Sequence, residues 1–306
     1  MSKKAGKKKR LERGMGFLFI RLIVKLASSL PLAWSGFLGR KAGDLLYFTW
    51  RRRRRIALVN LRLAFGEEKS EKEIKSIARK SFQNLLGGLF EVIRFTFLPL
   101  ESLEKRLVVE GKENLSRALA EGKGVIAFTA HLGVFPLIGS KFARDGFPFS
   151  YVIRFPDDVR ATDYIKKLGE RVNVKFISVK PQHRCISQCL KALRKNETVC
   201  LLGDQYSKEG VSVNFFGHPA PTAVGPVVLS LRTGARLVPM FIVRRADNKY
   251  SLRIEPPFPL ETTGKPEKDI PENISRLTKV VESYIRRYPD QWAWIHRRWR
   301  GQSFKV

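Results

Sequence analysis

Short apolar runs in the second half of the chain predict a series of β-strands. These runs cover residues 124–130, 149–154, 174–179 and 198–203. Between them, residues 158–169 and 182–195 have the three-to-four-residue apolar spacing of helices. Strands that alternate with helices predict an α/β fold with a mostly parallel central sheet flanked by helices. Two later runs, residues 237–244 and 250–255, flank a polar turn and predict a hairpin.

A long helical pattern precedes these strands. Ser70 and Glu73 have the spacing of a capping box, and the pattern continues towards Phe97, shortly before Pro99. No stretch with the composition of a linker divides residues 56–306. We therefore predict one domain over residues 56–306, preceded by a distinct N-terminal segment over residues 1–55.

The N-terminal segment is apolar but interrupted by charge. Arg21 and Lys25 fall on one helical face, and the longest uncharged run, residues 26–39, has 14 residues. A membrane-spanning helix needs about 20. The pattern predicts an amphipathic helical segment that dips into the membrane surface and returns. Both flanks are basic, which favours the cytoplasmic side. The alternative is a disordered basic start followed by an ordinary core helix.

The net charge of the chain is +30, from 58 Lys and Arg residues against 28 Asp and Glu residues. Basic clusters at residues 1–13 and 51–55 supply part of it. Such a surplus favours an anionic membrane surface, a phosphorylated glycolipid, an acidic carrier protein or a nucleic acid. We expect no nucleic acid, because no heptads follow Arg51–Arg55 and no aromatic-basic RNA-binding motif is present.

The three cysteines, Cys185, Cys189 and Cys200, favour a reducing compartment. They form no CxxC pair and have no histidine at zinc-ligand spacing. We expect reduced, buried thiols, in keeping with a cytosolic location.

Three polar residues lie where predicted strands end: His131 and Asp204 come directly after their runs, and Arg154 is the last residue of its run. In parallel sheets the catalytic and ligand-binding residues lie beyond the carboxyl ends of the strands. His131 can take a proton from a hydroxyl, and the guanidinium of Arg154 suits a phosphate or an oxyanion. If the first and fourth strands are neighbours, His131 and Asp204 face one cleft. A structural histidine and a surface arginine are the alternatives.

Four motifs occur in order: Ala130-His131-Leu132-Gly133, Gly203-Asp204-Gln205, the stretch Val211–Thr222, and Tyr288–Trp299. Together they resemble the lauroyl/myristoyl acyltransferases of lipid A biosynthesis, over most of residues 15–302. The resemblance implies a glycerolipid acyltransferase-like fold at the cytoplasmic side of the cell inner membrane. It also implies an acyl carrier protein thioester as donor, a hydroxyl of a phosphorylated glycolipid as acceptor, and no metal or organic cofactor.

The chain departs from that family at one position. The family's motif has Glu or Asp five residues after the histidine, where this chain has Pro136. Proline can neither orient an imidazole nor take a proton. We predict that His131 and Asp204 are the catalytic pair, with Asp204 replacing the missing acid as the carboxylate of a triad does. The alternatives are that Asp204 caps a loop or pairs with Arg154, or that His131 acts without a carboxylate.

Substrate contacts are predicted for Arg154, Gln205 and Thr222, with a turn as the alternative role for Thr222. We expect the amides at the helix start after His131, or Arg154, to hold the oxyanion. The aromatic group of Trp292, Trp294, His296 and Trp299 is predicted to seat the C-terminal helix on the core, and Arg297, Arg298 and Arg300 to face lipid or carrier protein.

Two other functions stay open at this point. One is acylation of another glycolipid or phospholipid, mannosides included. The other is a catalytically silent, lipid-binding homologue, suggested by Pro136.

Overall fold

A computed structural model describes residues 3–300, and the side chains of residues 14–300. The strands are β1 (Leu107–Glu110), β2 (Val125–Thr129), β3 (Phe149–Ile153), β4 (Val174–Ser178), β5 (Thr198–Leu202), β6 (Tyr206–Phe215), β7 (His218–Thr222), β8 (Arg236–Arg244) and β9 (Tyr250–Ile254). The helices are α1 (Lys3–Ser29), α2 (Leu32–Thr49), α3 (Arg51–Phe65), α4 (Glu71–Thr96), α5 (Leu100–Glu104), α6 (Lys112–Ala120), α7 (Pro136–Arg144), α8 (Val159–Glu170), α9 (Gln182–Arg194), α10 (Gly225–Thr233) and α11 (Pro266–Arg287).

Within residues 3–300, seven strands form the central sheet, in the order β1-β9-β8-β2-β5-β3-β4. The five strands from β8 to β4 are parallel to one another. Strand β9 runs antiparallel to β8, and β1 pairs with β9 in parallel. The predicted mostly parallel sheet, its four parallel strands and the later hairpin are confirmed. The strands β6 and β7 form a separate antiparallel ribbon, which the sequence patterns did not predict.

Helices cover both faces of this sheet. Because side chains alternate along a strand, Ile126 and Phe128 of β2 point into one core while Val125 and Ala127 point into the other. All five residues of β2 are buried, as expected of a central strand. The residues that follow such a strand are therefore held against a rigid support.

The N-terminal helices pack on the long helix α4. The predicted capping box is present, with Ser70 accepting from the backbone of Glu73. On α2, a Cβ added at Gly39 would lie 2.7 Å from a backbone oxygen of α4, and one at Gly43 would lie 2.4 Å from another. These glycines allow the two helices to approach closely.

Both α1 and α2 keep apolar side chains on the protein surface. On α1 the exposed ones are Met15, Leu18, Phe19, Leu22 and Leu26, and on α2 they are Trp34, Phe37, Leu45 and Phe48. Among the described residues, no helix combines the length and hydropathy that crossing a membrane requires. Membrane contact by this segment, and the division at residues 1–55 and 56–306, stay predictions.

Candidate active site

The pairing of β2 with β5 brings His131 and Asp204 together. Thr129 lies opposite Leu202 in this parallel pair, and each site residue comes two positions later. The Nδ1 atom of His131 lies 2.9 Å from Oδ1 of Asp204. The backbone N–H of His131 also donates to Oδ2, at 2.9 Å. Asp204 therefore pairs with His131 rather than with Arg154, and its Oδ2 atom also caps the loop after β2 by accepting this N–H.

Asp204 is buried and accepts a third hydrogen bond. The indole Nε1–H of Trp292 donates to Oδ2 at 2.7 Å. Burial by itself would raise the pKa of Asp204, but the adjacent His131 and the hydrogen bonds from His131 and Trp292 lower it to about 2. The carboxylate is thus ionised at neutral pH and can only accept hydrogen bonds. The proton between the two side chains consequently sits on Nδ1 of His131, so that in the neutral imidazole the lone pair is on Nε2.

The two members of this pair differ sharply in exposure. The side chain of His131 is 31% exposed, against 1% for Asp204. The Nε2 atom of His131 lies 3.2 Å from the side-chain nitrogen of Gln205. A partly open imidazole held by a buried carboxylate has the arrangement of a general base.

The loop after β2 is fixed to the segment that follows α11. Gly133 donates from its N–H to the carbonyl of Gln291 at 2.9 Å, and Ala293 donates to the carbonyl of His131 at 3.1 Å. Gly133 has a φ of +57°, and a Cβ there would lie 2.1 Å from the carbonyl oxygen of Ile242. Glycine is therefore required at this position, and the loop that carries His131 is held by two backbone hydrogen bonds to residues 291–293.

Pro136 occupies the first position of α7, where its missing N–H would have no helical partner in any case. The next amides are engaged: Leu137 and Ile138 donate to carbonyls within the turn, and Gly139 donates to the hydroxyl of Tyr151. These three amides are therefore not free to hold an oxyanion.

Three tryptophans seat the C-terminal segment on the core, but they lie after α11 instead of within a helix. The side chains of Trp292, Trp294 and Trp299 are all buried. From the other side, Asn60 of α3 donates to the carbonyl oxygens of Trp294 and His296. The segment is thus clamped between the core and α3.

Our prediction that Arg298 faces lipid or carrier protein is wrong. It is completely buried and cannot face lipid or a carrier protein, whereas Arg297 and Arg300 are exposed as predicted. Its guanidinium donates to the carbonyl of Pro221 at 2.6 Å, to that of Gln205 at 3.3 Å, and to the hydroxyl of Thr222 at 2.5 Å. Burial lowers its pKa to about 10, so it is still a cation at neutral pH.

The remaining site residues lie in different surroundings. Thr222 ends β7 and is buried against Arg298, so its hydroxyl is not open to a substrate. Arg154 is exposed and follows β3 at the same edge of the sheet as His131. The Nε2 atom of His296 accepts from the backbone N–H of Tyr206 at 3.2 Å, and burial lowers the pKa of His296 to about 4.

The cysteines take no part in this site. All three are free thiols, with Cys189 and Cys200 buried and Cys185 partly exposed. Our expectation of reduced thiols is consistent with this, although Cys185 is less buried than expected.

Comparison with known proteins identifies the family. Residues 3–301 match the family model of the bacterial lipid A biosynthesis acyltransferases. The chain belongs to this family. It is 31% identical to the lipid A biosynthesis palmitoleoyltransferase of Escherichia coli (strain K12), over 94% of this chain and 90% of the relative. It is 29% identical to the lipid A biosynthesis lauroyltransferase of the same organism, over 91% of this chain and 89% of the relative.

A more distant similarity covers about half of the chain. The phosphatidylinositol mannoside acyltransferase of Mycobacterium tuberculosis (strain ATCC 25618 / H37Rv) is 31% identical over 49% of this chain and 48% of its own length. All of these relatives are acyltransferases, and this protein is an acyltransferase as well.

Proposed function

We propose that the protein moves a fatty acyl chain from acyl carrier protein to a hydroxyl of a lipid A precursor, with His131 as general base. The observation that carries the proposal is the pair formed by the partly exposed imidazole and the buried carboxylate of Asp204, 2.9 Å apart. It lies beyond the carboxyl ends of two parallel strands, where α/β sheets hold their substrates.

The reaction is a single displacement in which His131 carries the proton. The acceptor hydroxyl gives its proton to Nε2 while its oxygen attacks the thioester carbonyl carbon. The tetrahedral intermediate collapses, the C–S bond breaks, and the departing thiolate takes the proton back from the imidazolium. Asp204 fixes the tautomer and stabilises the imidazolium between these two transfers. We assign the acceptor phosphate or the oxyanion to Arg154, because a guanidinium suits such oxygens.

The nature of the two substrates has separate support. The lipid A enzymes match over about nine-tenths of the chain, whereas the mannoside enzyme matches over half, which favours a lipid A precursor as acceptor. The net charge of +30 suits both a phosphorylated acceptor and an acidic carrier protein.

We also propose that α1 and α2 attach the enzyme to the cytoplasmic face of the inner membrane. Their exposed apolar side chains include Leu18, Leu22 and Trp34, which are 63%, 63% and 59% exposed. Arg21 and Lys25 lie exposed on α1 beside this apolar surface. Apolar insertion together with attraction to anionic lipid is the mode of an interfacial helix.

Acyl transfer by wild type and by His131→Ala tests the catalytic part of this proposal. The assay follows a labelled acyl chain from lauroyl-, myristoyl- and palmitoyl-acyl carrier protein to a phosphorylated glucosamine lipid. Loss of a general base should lower transfer by about 10²- to 10⁴-fold. His183, exposed on α9, provides the matched control His183→Ala, which should transfer at the wild-type rate.

Two results would contradict the proposal. Equal rates for wild type and His131→Ala would exclude His131 as the base. Binding of wild type to anionic vesicles without transfer to any glycolipid or phospholipid acceptor would favour the silent homologue.

A further inference from the structure

The side-chain amide of Gln205 contacts Nε2 of His131, the atom that accepts a proton in the proposed acyl transfer. When the imidazole is neutral, Nδ1 donates to the ionised Asp204, and Nε2 is then the acceptor in its contact with the Gln205 nitrogen at 3.2 Å. The amide therefore donates to the lone pair that has to receive the proton of the acceptor hydroxyl. In the free enzyme the base is already engaged.

The peptide group between Gln205 and Tyr206 is fixed by hydrogen bonds at its carbonyl and at its N–H. The carbonyl of Gln205 accepts from Arg298 at 3.3 Å, and the N–H of Tyr206 donates to His296 at 3.2 Å. Both partners belong to the clamped C-terminal segment. The peptide between residues 205 and 206 consequently stays in place, and the amide can leave Nε2 only by rotation of its own side chain.

We propose that Gln205 is a displaceable cap on the catalytic base, which an acyl acceptor removes and water does not. This inference rests on the proposed function. A glycolipid acceptor makes many contacts and can use part of its binding energy to displace the amide. A water molecule brings no such energy and has to compete for Nε2 directly. The cap therefore protects the acyl donor from hydrolysis until the acceptor is bound.

The reaction that the cap suppresses has a defined course. Water gives a proton to Nε2 of His131 while its oxygen attacks the thioester carbonyl carbon. The C–S bond then breaks, the thiolate of the carrier takes the proton from the imidazolium, and a free fatty acid is released. Hydrolysis and transfer thus use the same base and differ only in the attacking oxygen.

The test is the ratio of donor hydrolysis to acyl transfer in Gln205→Leu and Gln205→Asn. Leucine keeps most of the volume without a donor, and asparagine keeps the amide on a side chain too short to reach Nε2. The assay uses myristoyl- and palmitoyl-acyl carrier protein and measures free fatty acid with and without the glucosamine lipid acceptor. At saturating acceptor the cap is already displaced in wild type, so its removal changes transfer little, whereas in hydrolysis one hydrogen bond no longer competes with water. We therefore expect the ratio of hydrolysis without acceptor to transfer at saturating acceptor to rise about 3- to 10-fold in both variants.

Gln188→Leu is the matched control, since Gln188 is an exposed glutamine on α9. Its ratio should equal that of wild type. A second control places His131→Ala in the Gln205→Leu background, and both reactions should then be lost.

The outcomes separate this inference from the proposed function. Normal transfer with an unchanged ratio in both Gln205 variants would overturn the cap alone. A parallel fall of hydrolysis and transfer would also overturn it, because Gln205 would then assist the base or the oxyanion. Hydrolysis that persists without His131 would instead contradict the proposed base.

Discussion

Asp204→Asn separates the orienting role of the carboxylate from its contribution to stability. In wild type Asp204 accepts from the backbone of His131, from the imidazole and from Trp292. An asparagine side chain places an NH₂ group at one of the two oxygen positions. At the Oδ2 position it would face two N–H donors, so we expect it at the Oδ1 position, where it donates to Nδ1 of His131.

That arrangement reverses the tautomer. The imidazole proton moves to Nε2, which then cannot accept the proton of the acceptor hydroxyl. We expect transfer to fall by about 10²- to 10⁴-fold, the range of a lost general base. The folded enzyme should persist, because the side chain keeps its shape and the Trp292 bond.

The stability effect follows from the carboxylate's pKa. Lowering it from 3.8 to about 2 corresponds to about 2 kcal/mol of folding free energy. Because the folded pKa lies below the unfolded one, this contribution is present at neutral pH and is lost as the pH falls from about 4 to about 2. Urea unfolding should therefore show wild type more stable than Asp204→Asn at neutral pH, with a difference that shrinks in acid.

The matched control is Asp247→Asn, in the exposed turn between β8 and β9. It should change neither the transfer rate nor the unfolding free energy by a measurable amount, since surface ion pairs contribute little. If Asp204→Asn keeps more than about a third of wild-type transfer, Asp204 does not orient the base, because a lost general base costs at least about 10²-fold.

Two further predictions concern the support of the site and the membrane. Trp292→Phe keeps an aromatic ring but removes the donor at 2.7 Å from Asp204. The pKa of Asp204 should therefore rise, and the free energy of unfolding should fall by about 1.5–3 kcal/mol. An unchanged free energy of unfolding would show that this hydrogen bond contributes nothing. Replacing both Leu18 and Leu22 by Ser should weaken binding to anionic vesicles by about 10- to 100-fold, because both side chains are 63% exposed and available for insertion. The control Ile186→Ser, on α9, should bind as wild type does. Equal binding by wild type, the Leu18 and Leu22 double variant and Ile186→Ser would contradict the proposed membrane-binding surface.

The local elements of the fold were accessible from the sequence because each depends on neighbouring residues. Buried strands such as β2 need an uninterrupted apolar run, and α4 has its capping box in the sequence. The ribbon was missed for a physical reason as well. Pro219 and Pro221 lie in β7, and prolines argue against a strand unless it is at an edge.

The composition of the site depends on contacts that no local pattern contains. Two strands, β3 and β4, come between β2 and β5 in the chain, yet β5 lies beside β2 in the sheet. The bond between Trp292 and Asp204 joins residues 88 positions apart. Arg298 was predicted to face lipid or carrier protein together with Arg297 and Arg300, whereas its partners here are mainly backbone carbonyls. The motif Tyr288–Trp299 indicated the family, but it gave no sign that this segment supports the base.

The position of Pro136 now has a structural account. The imidazole has two nitrogens, and Nδ1 is already engaged by a buried, ionised carboxylate. Loss of the motif carboxylate therefore does not leave His131 without an orienting acid, which removes the main argument for a silent homologue. In the proposed mechanism the C-terminal segment supports the base indirectly, because Trp292 bonds to Asp204 while His296 and Arg298 hold the peptide group that follows Gln205.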